Sequence, residues 1–280
     1  MKPTTGLGDV STGRGRSHLC WSFTEIGEFA AKARAFLAEG LADGKRVCLI
    51  APGGVDELTD HLRALPGFDA LRERGAVHVR SPDGMYGADA VDPVEQVRAY
   101  SAETDAAVAA GFTGLRVAAE VSHLVDTPAR LDAFAEYEHI VDRYMAVSGF
   151  DALCAYDAPR LGAAAVERLA ALHPRGNVDT VPFHLHGWGD GGAVVLDGDV
   201  DLAAHDLFPW ALDRAAAHWG PGEVVIDARG LEFIDHHGLL RLAELAGRRG
   251  LTIVLRTSRF SPARVVEALR LDGVRVERAA

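Results

Sequence analysis

Histidine and cysteine side chains give this sequence its first candidates for chemistry. His18 and Cys20 alternate along a short stretch, so a strand there would place both on one face. Cys154 and His173 lie in the same half of the chain, and the four together could supply nitrogen and sulfur ligands to zinc or haem. Their spacing matches no zinc signature, and cysteine is often simply a small buried hydrophobe. The sequence therefore assigns no metal ligand and leaves the cofactor unknown, with a redox-sensitive Cys20 as another open interpretation.

Glycine and polar residues also follow several apolar segments that have the character of buried strands. They are Gly53 and Gly54, Glu120, and the pair Tyr156 and Asp157. Ligands of open α/β sheets collect beyond the carboxyl ends of the strands, so we predict ligand sensing by these residues together with His18, Cys20 and Cys154. Gly53-Gly54 before a helix could offer amides to an anion. The lysine of a phosphate-binding loop is absent, however, and a tight turn would also explain the two glycines.

Acidic residues in this half have more than one interpretation. A carboxylate at Glu120 is costly if it is buried without a partner. Three roles are open for it: a hydrogen bond to a loop, an ion pair with Arg116 or His123, and a ligand contact. Glu136 and Glu138 flank a tyrosine whose spacing puts it in the core, which favours a solvated face for both acids.

A third constellation lies at Asp235-His236-His237-Gly238. Val224–Ile226 is a β-branched run that is typical of a buried strand, and the chain then turns back towards the core. Asp235 has the type and position of a helix N-cap. Apolar residues follow at helical spacing, namely Leu239, Leu242, Ala243 and Ala246. These residues predict a strand-to-helix corner whose helix N-terminus points outward.

The elements that must position these residues alternate between strand and helix. Strands are predicted over 17–23, 47–50, 77–80, 115–119 and 151–156, with helices over 25–41, 55–65, 94–111 and 131–144 and after Asp157. The fold class is therefore α/β, with an N-terminal open, mostly parallel sheet that has helices on both faces. We predict a disordered tail at 1–16, a larger N-terminal α/β domain at 17–176, a linker at 177–182 and a smaller C-terminal α/β domain at 183–280.

Bulk composition narrows the function classes. A chain of 280 residues is long enough for two domains, and its net charge of −11 argues against a basic nucleic-acid face. Three widely spaced cysteines without a CxxC pair suit a reducing cytoplasm. No apolar run approaches the roughly 18 residues of a membrane span. The first sixteen residues lack the apolar centre of a signal peptide. We expect a cytoplasmic protein that engages neither nucleic acid nor membrane.

The corner and its flanks resemble the STAS domain of anti-sigma factor antagonists. The resemblance covers about 183–273 and rests on the Phe-Ile-Asp-x-x-Gly-Leu frame at 233–239, the turn at 196–202 and the segment at 258–269. A serine of that family's corner is phosphorylated by a partner kinase, whereas His236 and His237 stand in place of the two serines here. The resemblance implies that Asp235, His236, His237 and Gly238 bind an anti-sigma factor or a related kinase-fold protein without Ser/Thr phosphorylation. A scaffold or dimerisation role, and phosphohistidine or metal capture, remain open.

The first half resembles the MEDS domain, a sensory domain of bacterial regulators. The resemblance covers about 17–176 and depends on the order of several motifs: His18-Leu-Cys20, Phe112-x-Gly114-Leu-Arg116-Val-x-x-Glu120, Glu136-Tyr137-Glu138, Cys154-x-Tyr156-Asp157 and His173-Pro174. The family implies signal input, with a ligand that is generally undefined.

These observations predict a signalling regulator rather than an enzyme. Its N-terminal domain would sense a small molecule, redox state or metal, and its C-terminal domain would bind a protein partner; a homodimer is also compatible with the sequence. The alternative is a nucleotide- or metabolite-binding protein or enzyme that uses Gly53, Gly54 and Glu120. In that case the C-terminal domain would be a dimerisation module.

Overall fold

A parallel sheet of six strands organises the first half of the chain. The computed structural model describes residues 17–87, 89–189 and 193–279, and the predicted tail at 1–16 lies outside them. The strands are β1 (His18–Phe23), β2 (Arg46–Ile50), β3 (Val77–Arg80), β4 (Leu115–Glu120), β5 (Phe150–Asp157) and β6 (Arg175–Gly176). They lie in the order β3-β2-β4-β5-β1-β6, and every pairing is parallel. The predicted open parallel sheet is confirmed, and β6 is an addition to it.

Helices cover both faces of this sheet. They are α1 (Ile26–Ala42), α2 (Val55–Leu62), α3 (Phe68–Glu73), α4 (Asp83–Tyr86), α5 (Pro93–Ala109), α6 (Pro128–Met145), α7 (Ala158–Leu161) and α8 (Ala163–Ala170). Leu153 of β5 packs in the core beneath α1 and α2, whereas Cys154 packs in the core beneath α5, α6 and α8. This alternation along the strands decides which side chains meet α6. Among the described residues, no helix has both the length and the apolar character that crossing a membrane requires.

A buried ion network closes the amino end of this sheet. Arg116 of β4 is almost fully buried and donates to Oδ2 of Asp151 at 3.0 Å and to Oε2 of Glu39 at 2.7 Å. Nζ of Lys45 lies 2.6 Å from the same Asp151 oxygen. Arg116 therefore pairs with acids at the opposite end of β4 from Glu120, and the ion pair between Arg116 and Glu120 that the sequence left open is not formed.

A mixed sheet of six strands organises the second half. Its strands are β7 (Phe183–His186), β8 (Val194–Val200), β9 (Gly222–Asp227), β10 (Leu231–Ile234), β11 (Leu251–Thr257) and β12 (Val274–Arg278). Five run parallel in the order β10-β8-β9-β11-β12, and β7 pairs antiparallel with β8. The helices are α9 (Leu207–Ala215), α10 (His236–Arg249) and α11 (Ser261–Leu269). This is the smaller α/β domain that the sequence predicts.

The two halves pack together through α6 and α9. Trp210 donates its indole N–H to Oδ1 of Asp132 at 2.9 Å, and Arg214 pairs with the same carboxylate at 2.7 Å. Trp219 of the second half donates to Nε2 of His139 at 3.2 Å. Three apolar residues of the first half also belong to the core of the second, namely Ala135, Ala171 and Leu172. Helix α6 therefore has one side on its own sheet and another on the second domain.

Candidate functional site

Helix α6 carries the acidic residues of a buried polar cluster. Thr127 caps its first turn by accepting from the backbone N–H of Arg130 at 3.3 Å, and Pro128 fits the first helical position. Glu138 and Asp142 follow one turn apart, so their carboxylates share one side of the helix, and both residues are 0% exposed. The expectation of a solvated face for Glu138 is wrong, because the sheet and the second domain between them cover α6.

His18, the first residue of β1, reaches both of these carboxylates. Its Nδ1 donates to Oδ1 of Asp142 at 2.7 Å, and its Nε2 lies 3.2 Å from Oε2 of Glu138. Burial lowers the pKa of His18, but the carboxylates of Asp142 and Glu138 outweigh it and raise that pKa well above its ordinary value. Burial opposes ionisation of Asp142, yet His18 holds the pKa of Asp142 below its usual range. Without another cation, His18 thus carries the proton that balances these acids.

His173 approaches the cluster from the end of α8. Its Nδ1 lies 2.8 Å from the carbonyl oxygen of Leu169, and because a carbonyl can only accept, Nδ1 carries the proton. Burial lowers the pKa of His173 to about 4, so the ring is neutral near pH 7. Its bare Nε2 lies 3.6 Å from Oε1 of Glu138, and its ring centroid is 4.3 Å from that of His18. His173 therefore presents a lone pair to the cluster.

Strand β5 supplies the remaining members of the cluster. The hydroxyl of Tyr156 donates to Oε1 of Glu138 at 3.1 Å. Sγ of Cys154 lies 3.6 Å from Nε2 of His18, and burial raises the pKa of this thiol to about 12. Cys20 lies opposite Cys154 in the pairing of β1 with β5. The structure thus brings together three of the predicted sensing residues, His18, Cys154 and Tyr156, with Cys20 on the neighbouring strand.

The other predicted sensing residues lie at the carboxyl ends of the strands or in the turns that follow them. Glu120 accepts from the backbone N–H of Ser122 at 3.0 Å, and Ser122 Oγ accepts from the backbone N–H of Asp157 at 2.8 Å. Of the three roles left open for Glu120, the structure shows the loop hydrogen bond. Asp157 caps α7. Gly53 has a φ of 126°, a conformation that favours glycine, and Gly54 is the N-cap residue immediately before α2.

The strand-to-helix corner of the second domain is formed by Asp235 and the three residues after it. Oδ1 of Asp235 accepts from the backbone N–H of Gly238 at 2.8 Å, which confirms the predicted N-cap. His236 and His237 are exposed, and their ring centroids are 4.0 Å apart. The ring of His205 lies 5.8 Å from that of His237. The corner therefore presents three imidazoles close to one helix N-terminus.

Close packing beneath the corner explains Gly238. A Cβ atom there would lie 2.8 Å from a side-chain carbon of Val200 and from one of Ile234, so α10 can approach the strand ends only with glycine. Beside the corner, Leu202 is 81% exposed and Phe233 is 48% exposed. Exposed imidazoles flanked by exposed apolar side chains are suited to contacting another macromolecule.

Asp142 links the buried cluster to the second domain. Its Oδ1 accepts from His18, and its Oδ2 accepts from the backbone N–H of Gly187 at 3.0 Å, just after β7. A Cβ atom on Gly187 would lie 2.7 Å from the carbonyl oxygen of His139, so the chain approaches α6 as closely as glycine permits.

Sequence reasoning missed Glu138 and Asp142 as site residues. A usable signal was present, because Phe134, Glu138 and Asp142 recur every four residues and so continue one core-facing stripe of α6.

Comparison with family models identifies both halves of the chain. Residues 17–174 match the model described as MEthanogen/methylotroph, DcmR Sensory domain, abbreviated MEDS. Residues 184–277 match a model described as Mlab, STAS domain. The first match alone covers more than half of the chain. No curated protein matches the sequence.

Proposed function

Because the chain belongs to the MEDS family of sensory domains and carries a STAS domain behind it, we propose that it is a signalling regulator that binds a protein partner. The first domain receives the signal, and the STAS domain is the output. The chain acts by binding rather than by catalysis. The partner that suits a STAS domain is an anti-sigma factor or a related protein of the kinase-type fold.

The observation that carries this proposal is the exposed corner at the start of α10. Asp235 fixes the first turn, and His236 and His237 project from it into solvent. Phe233, two residues before Asp235, and Leu202, two residues after Val200, add exposed apolar area. Fixed backbone, polar tips and apolar flanks are the components from which protein interfaces are built.

Regulation in this proposal passes through α6 rather than through phosphate at the corner. Positions 235–238 contain no serine or threonine, so a Ser/Thr kinase has no acceptor there. Asp142 instead offers a route between domains, because one of its oxygens faces His18 and the other holds the Gly187 amide.

A binding measurement tests the output surface. We would immobilise a purified anti-sigma factor of the kinase-type fold from the source organism and titrate it with the full chain and with His236→Asp. A fixed negative charge in the contact should weaken binding at least tenfold. Val147→Asp is the control, because it adds the same charge at a residue of the first domain that is 80% exposed. Equal affinity of all three proteins would remove the corner from the interface.

Incubation with the same partner and ATP tests the mode of regulation. We expect intact-protein and peptide mass spectra to show no phosphate on residues 235–238. A phosphate on His236 or His237 would contradict the proposal and would make the corner a phosphohistidine switch.

A further inference from the structure

Four side chains of the first domain direct their ligand atoms into one small buried volume. They are His18, Glu138, Cys154 and His173, whose ligand atoms all lie within 4.8 Å of one another. His18 Nε2 lies 3.2 Å from Oε2 of Glu138 and 3.6 Å from Sγ of Cys154. Zinc bonds of about 2.0–2.3 Å place tetrahedral ligands on the order of 3–4 Å apart. The closest pairs of the cluster therefore already have the spacing of ligands in a four-ligand metal site, and the wider pairs, at most 4.8 Å apart, would have to contract slightly.

The cluster has more acceptors than donors. Nδ1 of His173 is committed as a donor to the Leu169 carbonyl, which leaves the Nε2 lone pair facing the carboxylate of Glu138. Nε2 of His173 is buried without a hydrogen-bond partner, and the buried Oε2 of Glu138 has only its ion-pair contact with Nε2 of His18. Unsatisfied buried polar atoms are rare in proteins because each forfeits its interaction with water. A cation between these atoms would satisfy both.

The surroundings of the cluster resemble the outer shell of a metal centre. His18 donates its remote nitrogen, Nδ1, to the carboxylate of Asp142, and His173 donates its Nδ1 to a backbone carbonyl. These bonds orient each ring so that Nε2 points inward, which is how metal-bound histidines are usually held. Tyr156 supports Glu138 in the same way through its hydroxyl.

We propose that His18, Glu138, Cys154 and His173 bind one divalent transition-metal ion of the zinc type. Imidazole, thiolate and carboxylate are all zinc ligands, and four protein ligands form a closed site rather than a catalytic one with an open position. On binding, the Sγ proton of Cys154 and any proton on Nε2 of His18 are released to solvent. The ion keeps its oxidation state, and its two positive charges meet the thiolate and the Glu138 carboxylate.

This inference deepens the proposed function, because the metal would be the signal that the first domain receives. Only that role as a signal rests on the proposed function. Coordination of His18 would act on Asp142 and hence on the Gly187 amide of the second domain. Metal binding itself is measured on the chain alone. It can therefore fail while partner binding at the corner holds, and it can hold while partner binding fails.

Cobalt titration is the experiment that tests the site. The full chain would be stripped with a chelator and titrated with Co²⁺, which reports tetrahedral geometry through its visible bands and a thiolate ligand through near-ultraviolet charge transfer. We expect saturation at one ion per chain, displacement of Co²⁺ by Zn²⁺, and one zinc per chain by elemental analysis after reloading. A wild-type chain that shows no charge-transfer band and retains no zinc overturns the proposal, whatever the variants do.

Thiol variants identify the sulfur ligand. Cys154→Ala should abolish the charge-transfer band and weaken zinc binding more than tenfold, whereas Cys48→Ala, which removes a buried thiol from β2, should change neither. Loss of the band in Cys20→Ala but not in Cys154→Ala would overturn the ligand assignment. Asp142→Asn, a change outside the ligand set, should weaken zinc binding by roughly 10–100-fold. Circular dichroism of each variant separates lost ligation from lost folding.

Discussion

Histidines that neighbour carboxylates have two different environments in the two domains of this protein. His18 is buried, and its Nδ1 is hydrogen-bonded to Asp142. His236 and His237 are exposed beside Asp235, whose carboxylate instead caps the helix. In the interior, fixed partners set the charge and direction of the imidazole. At the surface, water hydrates the imidazole, so the ring can contact a partner. In our proposals, the same residue types thus serve an internal input in one domain and an external contact in the other.

The largest expected effect is on stability, and it concerns the buried pair of His18 and Asp142. In metal-free protein, Asp142→Ala should lower the free energy of unfolding by about 3–5 kcal/mol, because it removes the shorter of the two ion pairs that compensate a buried charged His18. His236→Ala, at the exposed corner, should stay within about 0.5 kcal/mol of wild type. Urea unfolding followed by circular dichroism measures both. Similar values for the two variants would show that the buried pair contributes no more than the surface residue.

A pair of glycines in α10 tests how tightly the exposed corner is built. Gly238→Ala should cost roughly 1–3 kcal/mol, because its Cβ would overlap Val200 and Ile234. Gly247→Ala lies in the same helix with no atom near the new Cβ, so it should stabilise by roughly 0.5–1 kcal/mol through helix propensity. Thermal unfolding of both variants gives the comparison. If Gly238→Ala is also stabilising, the corner is more deformable than its contacts indicate.

Glu120 offers a further test of this comparison. It is a buried acid that accepts a hydrogen bond from its own loop, and it lies outside the histidine cluster. Burial raises its pKa in the folded state, so the folded protein holds this proton more tightly than the unfolded chain does. The resulting stabilisation is present below the unfolded pKa and is lost as the pH rises through the folded one. Glu120→Gln keeps an oxygen that accepts from the Ser122 amide. Because glutamine does not ionise, the variant does not lose stability as the pH rises. The variant should therefore gain stability relative to wild type between acidic and neutral pH, as measured by urea midpoints. A difference in urea midpoint that stays constant across that pH range would contradict the raised pKa of Glu120.

The smallest effect separates stability from binding at the corner. In His236→Asp a negative charge enters the first turn of α10, where the helix dipole favours it by roughly 0.3–1 kcal/mol. The melting temperature should rise slightly while affinity for the kinase-fold partner falls. A parallel fall in both quantities would mean that the variant disturbs the fold rather than the contact.

Strand positions were predictable because the buried strands leave a strong apolar signal. The five strands predicted in the first domain all form, and their parallel arrangement follows from the alternation with helices. The two-residue strand β6 carries too little pattern to be predicted. The alternation of His184 and His186 indicates the strand β7, but its antiparallel pairing with β8 cannot be deduced from that pattern. At the corner, the N-cap of Asp235 depends on local chemistry alone, so it too could be deduced.

The buried cluster was harder to predict because its members meet through tertiary packing. His18, Cys154 and His173 drew attention by their residue types, but they lie far apart in the sequence. Glu138 was assigned to solvent because a helical acid is usually solvated, but it lies on the core-facing side of α6, among His18, Tyr156 and His173. Cys20 shares a face with His18, yet the converging thiol is that of Cys154 on the paired strand.

The single carboxylate of Asp142, held by His18 on one side and by the Gly187 amide on the other, has a consequence for the modularity of the chain. Cutting between the domains would leave one of its oxygens unpaired and uncover Ala135, Ala171 and Leu172. Neither half should therefore behave as an independent, exchangeable unit, and the whole chain should melt in one cooperative transition. A recombinant chain that joins this first domain to a different second domain must keep a glycine after the first strand of the new domain. Otherwise the hydrogen bond between that backbone and Asp142 is lost.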